Sequence, residues 1–231
     1  MTPRTMQYWV IPPKANGALV ACRENGLETS ALPYDARCPV VCMDAQPVQV
    51  LQEPRVPIAA TKHHARRVDY EYERAGTASV FMFAEPLQGW RHVRVRAQRT
   101  KVDWALEMEA LLRTRYTEAQ KVLVVCDNFN THTMGAFYEA CAAERARQRV
   151  RRLALRYTPK HGSWLNIAEN ALRALTRHCV HDRRLSETKQ LAEETAAWST
   201  SSNAKQRGVD WQGKINDARI KLKSLYPKMQ E

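Results

Sequence analysis

Three carboxylates stand where they could work on one substrate. In KVLVVCDNFNTH, Lys121 to His132, the apolar run Leu123 to Cys126 has the β-branched character of a fully buried strand. It stops at Asp127, and Asn128, Asn130 and Thr131 then read as a turn. Open α/β sheets place their ligands at the carboxyl ends of strands. Taken alone, Asp127 reads more readily as the start of an Asx-turn. Two further acids change that balance. Cys38 to Met43 is a second short apolar strand that runs into Asp44, and Glu169 falls in the first turns of a helix within YTPKHGSWLNIAENALRAL. Two acids at strand ends and one near a helix start make a hard, all-oxygen donor set. Magnesium takes such donors and needs few of them. Two such ions can support in-line displacement at phosphorus.

The elements that must position these acids follow from the patterning. Pro39 to Leu51 is expected to hold the first strand, with Asp44 at its end. Gln52 to Arg67 contains prolines and the cluster KHHARR and reads as an exposed loop. VDYEYER (Val68–Arg74) and ASVFMF (Ala78–Phe83), separated by AGT, read as a β-hairpin. WRHVRVRAQR alternates strictly. It presents Arg91, Arg94 and Arg96 either as an edge strand guarded by charge or as a stripe that contacts phosphate. Lys101 to Tyr116 is amphipathic and helical, Met134 to Arg152 is expected to be one basic helix, and Leu153 to Pro159 another strand. The helix that carries Glu169 is expected to open near Trp164 with Ser163 as its N-cap. On that helix Glu169 either turns inward among Leu165, Leu172 and Leu175 or sits at the rim, paired with Arg173. Arg177, His178, His181, Arg183 and Arg184 form a basic patch, and Leu185 to Asn203 is a last long helix. The order β, β, β, α, β, α, β, α, α predicts an α/β fold: a mixed sheet flanked by helices on both sides.

The segments VVCMDAQPVQVL, VDYEYERAGTASVFMF, VVCDNFNTH and YTPKHGSWLNIAEN together resemble the DDE transposases of bacterial insertion sequences, in the mariner superfamily. The likeness runs from about Trp9 to the C-terminus. It implies a ribonuclease-H-like fold, with Asp44, Asp127 and Glu169 as catalytic triad and metal ligands for two Mg2+ ions, with Mn2+ as a substitute. Glu169 lies 42 residues after Asp127, a spacing usual in the bacterial branch. The implied activity is metal-dependent strand cleavage and strand transfer on double-stranded DNA, at element ends and target. Asn130 and His132 match the motif after the second acid, where orienting the ligands is the implied role. Lys160, His161 and Trp164 precede Glu169 and are expected to hold phosphate and stack a base. Arg94, Arg96, Arg177, Arg183 and Arg184 are the other expected DNA contacts.

The resemblance also carries departures. Where relatives usually have Glu after the first acid, this chain has Ala45. Paired helix-turn-helix units precede the catalytic domain in mariner-type transposases, whereas Met1 to Arg37 holds one helical pattern. The expectation is therefore a fragment or a second reading frame, with an upstream helix-turn-helix polypeptide as partner and a homodimer on DNA. The domain reading is an N-terminal segment 1–37, a catalytic domain 38–204 and a basic tail 205–231. The alternative is a catalytically silent, repurposed DNA-binding or interaction protein.

Composition agrees with a polyanionic partner. The 231 residues carry a net charge of +12, with 44% hydrophobic and 26% charged residues, so a folded, strongly basic domain is expected. No apolar run approaches the roughly 20 residues of a membrane helix. The six cysteines form no C-x-x-C pair, which favours a reducing cytoplasm over disulfides or structural zinc; the resemblance implies that this cytoplasm is bacterial and the setting nucleoid-associated.

Overall fold

The computed structural model describes residues 34–158, 166–181, 183–205 and 208. Five strands form one sheet in the order β3-β2-β1-β4-β5. They are β1 (Val40–Gln52), β2 (Glu73–Glu85), β3 (Trp90–Arg96), β4 (Val122–Cys126) and β5 (Leu153–Tyr157). β1–β2 and β2–β3 are antiparallel, while β4 pairs in parallel with both β1 and β5. One antiparallel meander thus runs into a parallel half, as a ribonuclease-H-like mixed sheet requires.

Helices cover both faces. α1 (Lys101–Thr114), α2 (Ala136–Ala140) and α3 (Ala143–Arg151) pack on one side, and α4 (Ile167–Leu175) and α5 (Thr188–Ala204) on the other. β4 explains its own sequence: Val122, Val124 and Cys126 enter the α1-side core, Leu123 and Val125 the α4-side core, so no residue is free to be polar. α1 starts cleanly because Thr100 and Asp103 form a reciprocal capping box. Trp104, Met108 and Leu112 on its inner face meet Phe81 and Phe83 of β2.

Four expectations are corrected. β1 does not end at Asp44 but continues to Gln52, paired with β2 throughout, and only its parallel pairing with β4 stops, at Cys42. Pro47 is tolerated there because that edge of β1 no longer has a partner. The expected hairpin around AGT is absent. Gly76 instead lies inside β2 at φ +128°, where the register with β1 slips, so it marks a bulge. The hairpins are β1–β2, with a long exposed connection that an Ile58–Arg67 bridge closes, and β2–β3, joined by the short turn before Trp90. The basic stretch after Met134 forms two helices, broken where Cys141 is extended (φ −137°, ψ 159°) and its thiol reaches Glu109. Finally, α4 is capped by Asn166; Ser163, Leu165 and Pro159 lie outside the described residues, as do most of 1–37 and 205–231.

Five cysteines, Cys38, Cys42, Cys126, Cys141 and Cys179, are free thiols. Among the described residues no helix is long and apolar enough to cross a membrane.

Candidate active site

Two neighbouring strands bring the aspartates together. Cys42 of β1 stands opposite Val125 of β4 in the parallel ladder, and two residues further along each strand come Asp44 and Asp127. Side chains alternate along a strand, so Asp44 points to the Cys42 face, under α4, while Asp127, one residue past the end of β4, contacts His132, which packs against Trp104 on the α1 side. Adjacent strands lie about 4.8 Å apart, and Asp44 feels the charges of both Asp127 and Glu169.

α4 is fastened over this spot at both ends. Asn166, buried to 1% exposure, accepts from the Ala168 N–H through Oδ1 and donates through Nδ2 to the Met43 carbonyl at 2.8 Å. At the other end Gln46 donates to the Thr176 hydroxyl at 2.7 Å. Met43 and Gln46 flank Asp44, so the two tethers hang the first turn of α4, with Glu169, above that residue. Asn166 and Glu169 stand at N-cap and N3, the spacing of a capping motif. That N-x-x-E pattern was the signal for a cap at Asn166 rather than Ser163.

Each acid has a different surrounding. Among the described residues Asp44 accepts only from the Ala45 N–H, at 2.8 Å, and burial pushes its pKa up to about 6, helped by the charges of Asp127 and Glu169. For Asp127 burial acts in the same direction, but His132, the Phe129 backbone and Arg99 outweigh it and hold the carboxyl below its ordinary value. His132 is buried to 2% exposure against Trp104, with Nδ1 2.7 Å from Asp127 Oδ1, a close contact not aligned as a hydrogen bond. Glu169 divides its two oxygens. Oε1 accepts from Arg173 at 2.7 Å, and Oε2 is buried with no partner. Both the rim pairing and the inward carboxylate expected from sequence are present in one side chain.

Arg99 was not visible from sequence. It donates to the Ala45 carbonyl at 2.7 Å and lies 4.6 Å over the Phe129 ring, so it ties the turn after Asp127 to β1 beside Asp44. Its residue type carries no local signal; only the fold brings it here. Ala45 itself packs into the α1-side core, on the face opposite the acids.

The donor set fits a hard divalent cation. Among the described residues, Glu169 Oε2 is a buried oxygen without a hydrogen bond, Asp127 Oδ1 meets only the imidazole of His132, and Asp44 is desolvated with no arginine or lysine paired to it. Such groups are costly unless a cation meets them. Among the described residues no three His, Cys, Asp or Glu side chains close round a single point. The carboxylates instead turn to the nearest available groups: Ala45 N–H, His132 and Arg173.

The model of the DDE superfamily endonucleases matches residues 39–192. The chain belongs to that family. The motifs that suggested the family lie largely inside the matched stretch, and the sheet order is the one they imply. No curated protein matches this chain in sequence. Among solved structures it is similar to the Mos1 strand transfer complex, at 11% identity and TM-score 0.49, over 71% of this chain and 47% of that one. It thus spans about half the length of that Mos1 chain. It is also similar to the catalytic core domain of BIV integrase, at 18% identity and TM-score 0.35, over 66% of this chain and 91% of that one. A third is the Mos1 mariner paired end complex with Mn, at 10% identity and TM-score 0.32, over 80% and 60%. The family assignment rests on the family match and not on these likenesses.

The other expected site residues are dispersed. Asn130 is exposed on the turn after Asp127. Arg94 and Arg96 both reach Glu107 of α1, at 3.4 and 2.6 Å, and Arg96 also reaches Asp103, at 3.3 Å. Arg183 makes a two-pronged pair with Glu194, and Arg184 binds Glu53 and the carbonyls of Asp69 and Glu71, holding the β1–β2 connection. Arg177 is exposed in the π-helical turn Thr176–Val180. Lys160, His161 and Trp164 lie outside the described residues.

Proposed function

We propose that this chain is the catalytic domain of a mariner-type transposase, which cuts and joins DNA strands at insertion-sequence ends through Asp44, Asp127 and Glu169. The observation that supports this reading is the double fastening of α4 to β1 on either side of Asp44, with the charges of Asp127 and Glu169 both acting on Asp44. In this reading the three carboxylates hold two Mg2+, or Mn2+ in its place. What such ions supply when bound is activation of the attacking oxygen and neutralisation of charge on the leaving one. His132 orients Asp127 and excludes water from its inner side, and Arg99 fixes the turn that follows. Arg177 is the most available of the basic residues for phosphate, with Lys160, His161 and Trp164 as the loop contacts. Arg94, Arg96, Arg183 and Arg184 reach DNA only by sharing the acids that now hold them.

Double-stranded DNA is the proposed partner, recruited by the net charge of +12. Sequence recognition then comes from a helix-turn-helix polypeptide upstream, the active species is a dimer on DNA, and the setting is the bacterial nucleoid. The test is cleavage of an element-end duplex, with the upstream polypeptide present, in Mg2+ or Mn2+. Strand nicking that Asp127→Asn abolishes supports the proposal. Wild-type protein that binds DNA but never cleaves, in either metal, would favour the silent, repurposed binder.

A further inference from the structure

A second feature lies on the α4 side of the sheet, away from the three acids. Between the β2–β3 turn, α4 and α5 is a cavity of about 380 Å³, within the range of pockets that hold small ligands, roughly 300–1,000 Å³. Its lining combines two kinds of side chain. Trp198, with Ala171 and Ala174 of α4, supplies apolar and aromatic surface; Arg91 and Lys205 supply positive charge. Asn170, the residue after Glu169, reaches it as well, so the cavity and the acids share one helix.

Both components are held in place. Trp198 donates its indole N–H to His178 Nδ1 at 3.2 Å, which orients the ring. α5 is pinned to β3 by Asn203, which accepts from the Arg91 N–H and donates to the Arg91 carbonyl, at 2.7 and 2.8 Å. The Arg91 guanidinium donates to the Gly89 carbonyl at the rim of the cavity. Among the described residues no carboxylate pairs with Lys205. Glu85 also reaches the cavity, but its carboxylate is ion-paired with Arg115.

A flat aromatic face beside two cations is the chemistry that receives one unstacked nucleotide. We infer that this cavity takes a nucleotide of single-stranded DNA, with its base against Trp198 and its phosphate toward Arg91 and Lys205. A base within a duplex is already stacked and paired, so the site selects unpaired strand. The inference deepens the transposase reading and rests on it for the source of such a strand, a DNA end frayed or opened near the acids.

Binding without cleavage separates the two readings. Fluorescence anisotropy with a labelled oligothymidylate in EDTA, against a strand of equal length with abasic sites, isolates the base from the phosphates. The wild-type chain should prefer the base-bearing strand by about tenfold, the size of one stacking contact. Trp198→Leu, which keeps an apolar side chain on α5, should bring the two strands to equal affinity, while Trp198→Phe should retain most of the preference. Ala174→Leu, which fills the cavity and leaves the tryptophan in the sequence, should also abolish it, and carries the test if Trp198→Leu does not fold. Equal binding of both strands by the wild type, or a preference that survives both Trp198→Leu and Ala174→Leu, would overturn the inference. Loss of DNA cleavage in the acid variants leaves this preference in place, and its loss leaves the acids untested, so the two cannot fail as one.

Discussion

Buried acids occur in two regions of this molecule, and the chain treats them differently. On the α1 side, Glu107 meets Arg96 and Arg94, Glu109 meets Arg149 at 3.5 Å, and Glu85 meets Arg115 at 2.5 Å. One oxygen of Glu85 makes no hydrogen bond, yet the group as a whole is charge-paired. Among the described residues, Asp44 accepts from one backbone N–H, Asp127 leans on an imidazole, and Glu169 gives one oxygen to an exposed arginine and buries the other. The whole chain carries a net charge of +12, so the shortage of cations beside these three acids is local to the described residues. Ion pairs hold the first region together, whereas the second leaves negative charge unmatched among the described residues, as functional sites often do.

Breaking the second region should cost activity and spare the fold. Asp127→Asn is expected to reduce metal-dependent cleavage of an element-end duplex to background while far-UV circular dichroism stays unchanged. Breaking the first should do the reverse. Arg96→Ala leaves Glu107, 2% exposed at its side chain, short of its nearest partner and should cost about 3 kcal/mol in urea unfolding. DNA affinity measured where the variant is folded should change little, since in this account Arg96 belongs to the core of the α1 side.

Smaller effects sharpen the boundary between the regions. Asn166→Ala removes an N-cap and the bond to the Met43 carbonyl and should cost about 1–2 kcal/mol. Its diagnostic effect is a rise in the Mg2+ concentration needed for half-maximal cleavage, because Glu169 loses its seat above Asp44. Asn166→Asp keeps the cap acceptor but not the donor, so it should restore stability more than metal response. Arg173→Ala is the mildest change. It removes an exposed i,i+4 pair worth about 0.3–0.5 kcal/mol and should leave stability almost unaltered.

How much of this was legible in the sequence follows from what each element depends on. β4 was legible because burial on both faces forces an unbroken apolar run, and α1 because its periodicity and cap are local. The three acids were legible because two ended apolar runs and all fell in motifs of a known family. The length of β1 was not legible, since its pairing with β2 allows polar residues such as Gln46 and Gln49 in a strand open on its other edge. Gly76 read as a turn because a glycine in a bulge and one in a turn look alike without the partner strand. The roles of Arg96 and Arg184 could not be read either, because their partners, Glu107 and Glu53, are brought to them only by the fold.

The raised pKa of Asp44 gives the most direct test of the central claim. With a folded-state value of about 6 against an ordinary 3.8, the folded chain holds this proton more tightly than the unfolded one. Its contribution to stability is therefore greatest below pH 4 and is lost as pH rises through about 6, by up to about 3 kcal/mol. A divalent cation that binds the ionised acids should return that stability above pH 6 and do little at pH 4, where the proton already occupies Asp44. The measurement is the melting temperature at pH 7.5 and pH 4 with and without 10 mM Mn2+ or Mg2+, in the wild type and in Asp44→Asn. The account predicts a metal-dependent rise at pH 7.5 in the wild type, almost none at pH 4, and a lost metal response with a higher metal-free melting temperature at pH 7.5 in Asp44→Asn. A metal response equal in the two proteins, or none in either, would contradict it.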